Sequence, residues 1–171
     1  ILNCTSQDSG RDILKYVEVV VQDHEVRFTA TNSYILGSVH ITADVEGDIG
    51  AKRSALLLSD ISMNALISVA IGGICIIEHD KNKDTIKTGG IGALTETILH
   101  IAPYPDWGTA IASQAYAGQN TDSITFNYKL MVKVAPVLLE DNIKWEFTNN
   151  NSPMISKANN AIAVVMPARS K

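Results

Sequence analysis

The feature that most constrains this chain is an internal repeat. After a strand-like run at residues 55–58, Ser59-Asp60 offers a helix cap, and Ile61, Ala65, Leu66 and Val69 follow at helical spacing. Gly72-Gly73 ends that helix. A strand at 74–78, the polar turn DKNKD at 80–84, a return strand at 85–88, a glycine turn at 89–92 and a strand over 93–101 complete the block. The last fifty residues retrace this order: a short strand at 123–126, the cap residue Asn127, a helix over 128–139 whose last turn Pro136 strains or ends, a strand at 143–147, a turn at 149–153, a return at 154–156 and a strand at 161–166. Ser59 aligns with Asn127 and Ile74 with Ile143 at nearly equal offsets. Such a βαβββ unit cannot bury a sheet face alone. The units are therefore expected to join into one sheet with helices packed on one side, an α+β fold of antiparallel build.

Ahead of the repeat, residues 1–12 are polar and turn-rich, and 13–22 (ILKYVEVVVQ) read as a strand. In EVRFTAT, residues 25–31, Val26, Phe28 and Ala30 alternate with Arg27, Thr29 and Thr31, the period of a half-buried strand. Asn32-Ser33 supplies turn chemistry, Tyr34-Ile35-Leu36 resumes an apolar run, and Val39, Ile41 and Ala43 continue the alternation. These fifty residues predict a three-stranded antiparallel meander closed by a loop at 47–50. The organisation expected is a first domain over 1–107, a linker or short helix over 108–121, and a half-domain over 122–171.

With 46% hydrophobic and 19% charged residues, the composition is that of a globular protein. The net charge of −4 argues against a uniformly basic surface and leaves room for a local basic patch. The apolar run at 65–77 is too short to span a bilayer, no leader is evident, and Cys4 and Cys75 read as two free thiols. An intracellular, cytoplasmic protein is expected. His24, His40, His79 and His100 are scattered, the glycine run lacks the Lys-Ser/Thr of a phosphate loop, and no serine or cysteine has an activating neighbour. A non-enzyme without metal or cofactor is the expectation. Two features can carry binding. Lys129 and Lys133 share one helix face, and Lys52-Arg53 precede the repeat, which suits phosphate contacts. Tyr34-Ile35-Leu36, the Pro105/Trp107 segment and the tail Val164-Val165-Met166-Pro167 can converge on a groove for a short peptide. The alternative is a β-rich assembly protein that self-associates through strand edges and its apolar tail, without DNA.

Four segments then carry a resemblance. Residues 30–36, ATNSYIL, resemble the ATDGHRLA motif of the bacterial DNA sliding clamp, the β subunit of DNA polymerase III. HIAPYPDW at 100–107 is similar to the family's G-x-FPDY segment, residues 123–147 to its last helix and strand, and VVMPAR at 164–169 to its terminal VVMPMR. The resemblance implies repeated βαβββ units with sheets outside and helices lining a hole. It implies a homo-oligomeric ring on double-stranded DNA, held without sequence preference, that tethers DNA polymerase and other replication or repair proteins through their short linear motifs. Carried over by motif, the peptide pocket would comprise Thr31, Ser33, Tyr34, Ile35, Leu36, Pro105, Val164, Val165, Met166, Pro167 and Arg169, and Lys52, Arg53, Lys129 and Lys133 would lie near DNA. The chain departs from the pattern at Tyr34-Ile35, where the family has His-Arg, at Ala168, and at Gly108-Thr109, where an arginine pair is missing. The resemblance implies that it comprises most of a middle domain, without its opening helix, joined almost directly to the second half of a last domain.

Overall fold

The computed structural model describes residues 1–7, 10–22, 24–46, 54–69, 73–80, 82–83, 85–98, 103–108, 126–147 and 152–168. Strands β1 (Val17–Gln22), β2 (Glu25–Thr31) and β3 (Ile35–Thr42) form the expected antiparallel meander. β4 (Ser54–Leu58) pairs with β1, and helix α1 (Asp60–Val69) follows it. Ser59 caps that helix, its Oγ accepting from Ser62 N–H at 3.3 Å. β5 (Cys75–Asp80), β6 (Thr85–Gly90) and β7 (Ala93–Ile98) form a second meander. Helix α2 (Tyr128–Val134) continues into a 3-10 turn (Ala135–Val137), and β8 (Met154–Ala158) and β9 (Ala161–Val165) close the chain as a hairpin.

Three expectations shift. The units form two sheets rather than one: a six-stranded sheet in the order β4-β1-β2-β3-β9-β8 and a three-stranded sheet β5-β6-β7. The free edge of β3 is taken by β9, and α1 carries the chain away from β4 to lie mainly against β6 and β7. There Gly90 lets the helix lie close, because a Cβ would stand 2.3 Å from Val69 Cγ1 and force that side chain to move. The helix expected over 128–139 stops at Val134, since Pro136 has no N–H to continue the α ladder and the chain tightens into 3-10 geometry. The strand expected over 143–147 is a single bridge, Glu146 opposite Ile155. One bonded step further in either direction would meet Pro153, which cannot donate, or would set Lys144 opposite Lys157. Residues 123–125 of the next expected strand, residues 109–121 of the expected linker and the loop at 47–50 lie outside the described residues, and Phe126 belongs to no strand.

The alternation read in β2 decides the two faces of the larger sheet. Val17, Val19, Val26, Ala30, Ile35, Leu56, Leu58, Ala161, Ala163 and Val165 are buried in one core with Cys4, Met63, Leu66, Val134, Val137 and Leu138, so the helices cover this side. The other face is polar at its centre. Glu18, Thr29 and Ser38 follow one another across three strands, all buried, and the Thr29 and Ser38 hydroxyls share a hydrogen bond of 3.1 Å.

Candidate functional site

The turn between β2 and β3 is built from its own side chains. Asn32 Oδ1 accepts from the backbone N–H groups of Tyr34 and Ile35, each at 3.0 Å. The Thr31 hydroxyl donates to the Ile35 carbonyl at 2.8 Å and accepts from Ser33 N–H at 3.2 Å. These bonds hold Ser33 at φ +76°, a left-handed conformation that a non-glycine residue adopts at some cost. They also hold Tyr34 outward, 64% exposed.

The C-terminal tail meets this turn through the sheet. Leu36 pairs with Val164 and Ile35 with Val165, and just past the end of β9 the Met166 N–H donates to the Tyr34 carbonyl at 2.8 Å. Tyr34 and Met166 therefore stand side by side, although far apart in sequence. Strand alternation then divides the expected pocket residues. Thr31, Leu36 and Val164 share the polar-centred face and are buried there, at 9%, 5% and 4% exposure. Ile35 and Val165, 2% and 0% exposed, point into the helix-side core and offer a peptide no surface. Ser33 is exposed, and Met166 and Pro167 are half-buried at the rim.

Residues 103–108 bring Pro105 to the same region. The Tyr104 hydroxyl accepts from Thr31 N–H at 3.1 Å and donates to the Tyr16 carbonyl at 3.3 Å. Burial raises its pKa well above the usual tyrosine value; the Thr31 bond pulls the other way and loses. Trp107 lies over the Arg27 guanidinium, 5.2 Å from the ring centroid, and Arg27 Nη2 stands 3.8 Å from Glu18 Oε2. The segment is thus pinned on both sides of Pro105, which is itself exposed.

Sequence reasoning missed Tyr104, Arg27 and Arg11, whose guanidinium donates to Ser33 Oγ at 2.7 Å. Arg27 had a signal, a cation on the alternating polar side of a half-buried strand. Arg11 had none, because its partner is twenty-two residues away.

Lys129 and Lys133 are exposed on α2, whose Val134 enters the core against β3 and β9. The lysines and the groove thus lie on opposite sides of the β3–β9 pair. The exposed positions of α1 are Asp60, Ile61, Asn64, Ile67 and Ser68, with no cation among them. Lys52, Arg53 and Arg169 lie outside the described residues. Among the described residues, no group of three or more His, Cys, Asp or Glu could hold a metal, and no helix is long and apolar enough to cross a membrane.

No protein-family profile and no curated protein sequence matches this chain. Solved structures do. The sliding clamp of Bacillus subtilis superposes with a TM-score of 0.74 at 16% identity, covering 99% of this chain and 60% of its own. The DNA polymerase III β subunit of Thermotoga maritima gives 0.76 at 14% identity, with 99% and 61% covered. The β subunit of Streptococcus pyogenes DNA polymerase gives 0.72 at 14%, with 99% and 62% covered. The chain has the sliding-clamp fold, and it spans about three-fifths of the length of these relatives in structure.

Proposed function

We propose that this chain, carrying the sliding-clamp fold over three-fifths of a clamp's length, acts without catalysis as an accessory of DNA replication or repair. It binds short apolar motifs of partner proteins in a groove rimmed by Tyr34 on one side and Met166 and Pro167 on the other, with Pro105 at its end and the buried Thr31, Leu36 and Val164 beneath it. The observation that carries the reading is the Tyr34–Met166 contact, which brings the two walls together within one sheet. Ile35 and Val165 act behind that surface as packing. Partner side chains would be anchored by apolar burial, worth about 25 cal/mol per Å² removed from water, while the turn's hydrogen bonds keep the wall preformed and limit the ordering cost.

A calorimetric titration with a synthetic hexapeptide ending in Leu-Phe tests this. Binding is expected, and Met166→Ala should weaken it about tenfold by truncating the most adaptable part of the wall. No heat of binding would remove the groove.

On the opposite side, Lys129 and Lys133 would contact duplex DNA, and Lys52 and Arg53 are proposed to add to that surface. The two α2 lysines alone give a slope of about −1.8 in log affinity against log salt, and all four cations about −3.6, so association should weaken as salt rises and be indifferent to sequence. Lys129→Glu with Lys133→Glu should weaken this association strongly and make its salt dependence shallower in a filter-binding or mobility assay. An unchanged affinity would displace the DNA surface from α2. Closure into a homo-oligomeric ring belongs to the same proposal, and mass photometry reads it as a fixed subunit count.

A further inference from the structure

β1 and β2 pair with Glu18 opposite Thr29, so one bonded step further Tyr16 stands opposite Thr31. Along an antiparallel strand, successive residues turn their N–H and C=O groups to opposite neighbours. The Asn32 N–H is directed at Ile35 in the β3 hairpin, 3.2 Å away, so the Thr31 N–H faces β1. Its regular ladder partner would be the Tyr16 carbonyl. Instead, both groups are bonded to the Tyr104 hydroxyl, which accepts from one and donates to the other. A single side-chain oxygen from a segment seventy-three residues away stands inside the ladder.

We propose that Tyr104 is a positioning residue: its hydroxyl completes the β1–β2 ladder and sets the strand spacing from which the Thr31–Tyr34 wall projects to receive a peptide. The role in recognition rests on the groove reading above, whereas the role in the ladder does not. Thr31 is buried, so without the hydroxyl its N–H must go unsatisfied, admit water, or draw the strands together. Each outcome moves the wall, because the Thr31 hydroxyl is what ties the turn to Ile35 and Ser33. The Trp107–Arg27 contact holds the far side of the segment, so the hydroxyl arrives on a tethered support rather than a free side chain.

Tyr104→Phe in the full chain removes the oxygen and keeps the ring. Site-resolved amide exchange should show Thr31 exchanging about tenfold faster, with Thr29 and Arg27 in the same ladder at their original rates. Affinity for the Leu-Phe hexapeptide should fall about fivefold or more while circular dichroism stays unchanged. Tyr104→Leu, which also removes the ring, should accelerate exchange at Thr29 and Arg27 as well and so marks what general loosening looks like. An unchanged Thr31 rate in Tyr104→Phe overturns the ladder role. Faster Thr31 exchange with undiminished peptide affinity overturns the positioning role. A native chain that ignores the peptide removes the groove reading, and the exchange data still decide the ladder role.

Discussion

Cys4 shows how closely one residue can be bound to the whole core. It is fully buried beneath β3, and Gly37 of that strand leaves room for it: a Cβ there would stand 3.0 Å from Cys4 Sγ and 2.8 Å from Val137 Cγ2. Burial pushes the Cys4 thiol up from its usual 9.0 to about 11, against a smaller opposing pull from the N-terminal charge. The sign of the consequence follows from proton linkage. Between pH 9 and 11 the unfolded chain releases a proton that the folded chain keeps, so stability falls as pH rises through that window. The buried Tyr104, shifted the same way, adds to the loss from its own unfolded value of 10.0 upward. Urea midpoints measured from pH 8 to 11 should decline, and Cys4→Ser should flatten the first part of the decline. Because the thiolate is the reactive form, iodoacetamide at pH 8 should label the exposed Cys75 and spare Cys4 until the chain is unfolded. Rapid labelling of both thiols in the folded chain would contradict the burial.

Helix α2 is short, seven residues, so its ends matter more than its propensity. Asn127 Oδ1 accepts from Lys129 N–H at 3.0 Å, satisfying one of the donors the first turn leaves open. Asn127→Ala should cost about 1 kcal/mol, read as a lower urea midpoint at unchanged slope. A variant as stable as the parent would mean that packing of Val134 alone holds the helix. This cap was legible from sequence, as was Ser59, because both rest on side chains bonding their own neighbours. So was the division of β2 into an apolar and a polar face, which local alternation dictates. What escaped the sequence depends on distant partners. The reduction of 143–147 to one bridge is decided by Pro153 and Lys157 across the gap, and the split into two sheets by β9 taking the edge of β3. The candidate groove divides along the same line. The turn at Thr31–Tyr34 was readable, whereas the inward placement of Ile35 and Val165 follows from a register between strands more than a hundred residues apart.

At the scale of the molecule, the β3–β9 pairing joins the opening meander and the closing hairpin of the second repeat into one sheet. The five pairs from Ile35–Val165 to Val39–Ala161 run the ladder straight from the first meander into the final hairpin, and Val134, Val137 and Ala163 share a core with Val17, Val19 and Ala30. A groove whose walls come from residues 31–36 and 164–167 exists only while that pairing is intact. The two tryptophans lie one in each half, Trp107 on the Arg27 side and Trp145 packed against the shared core. Each can therefore report its own half. In Trp145→Phe the fluorescence follows the first half, and in Trp107→Phe the second. If the core is a single cooperative unit, each variant's fluorescence midpoint in urea should coincide with its own far-ultraviolet circular dichroism midpoint. A separation between probes within either variant would show the hairpin of β8 and β9 detaching before the meander unfolds. In that case the groove would open at sub-denaturing urea, and peptide binding should be lost ahead of the main transition. Coincident probes predict instead that binding and fold disappear together.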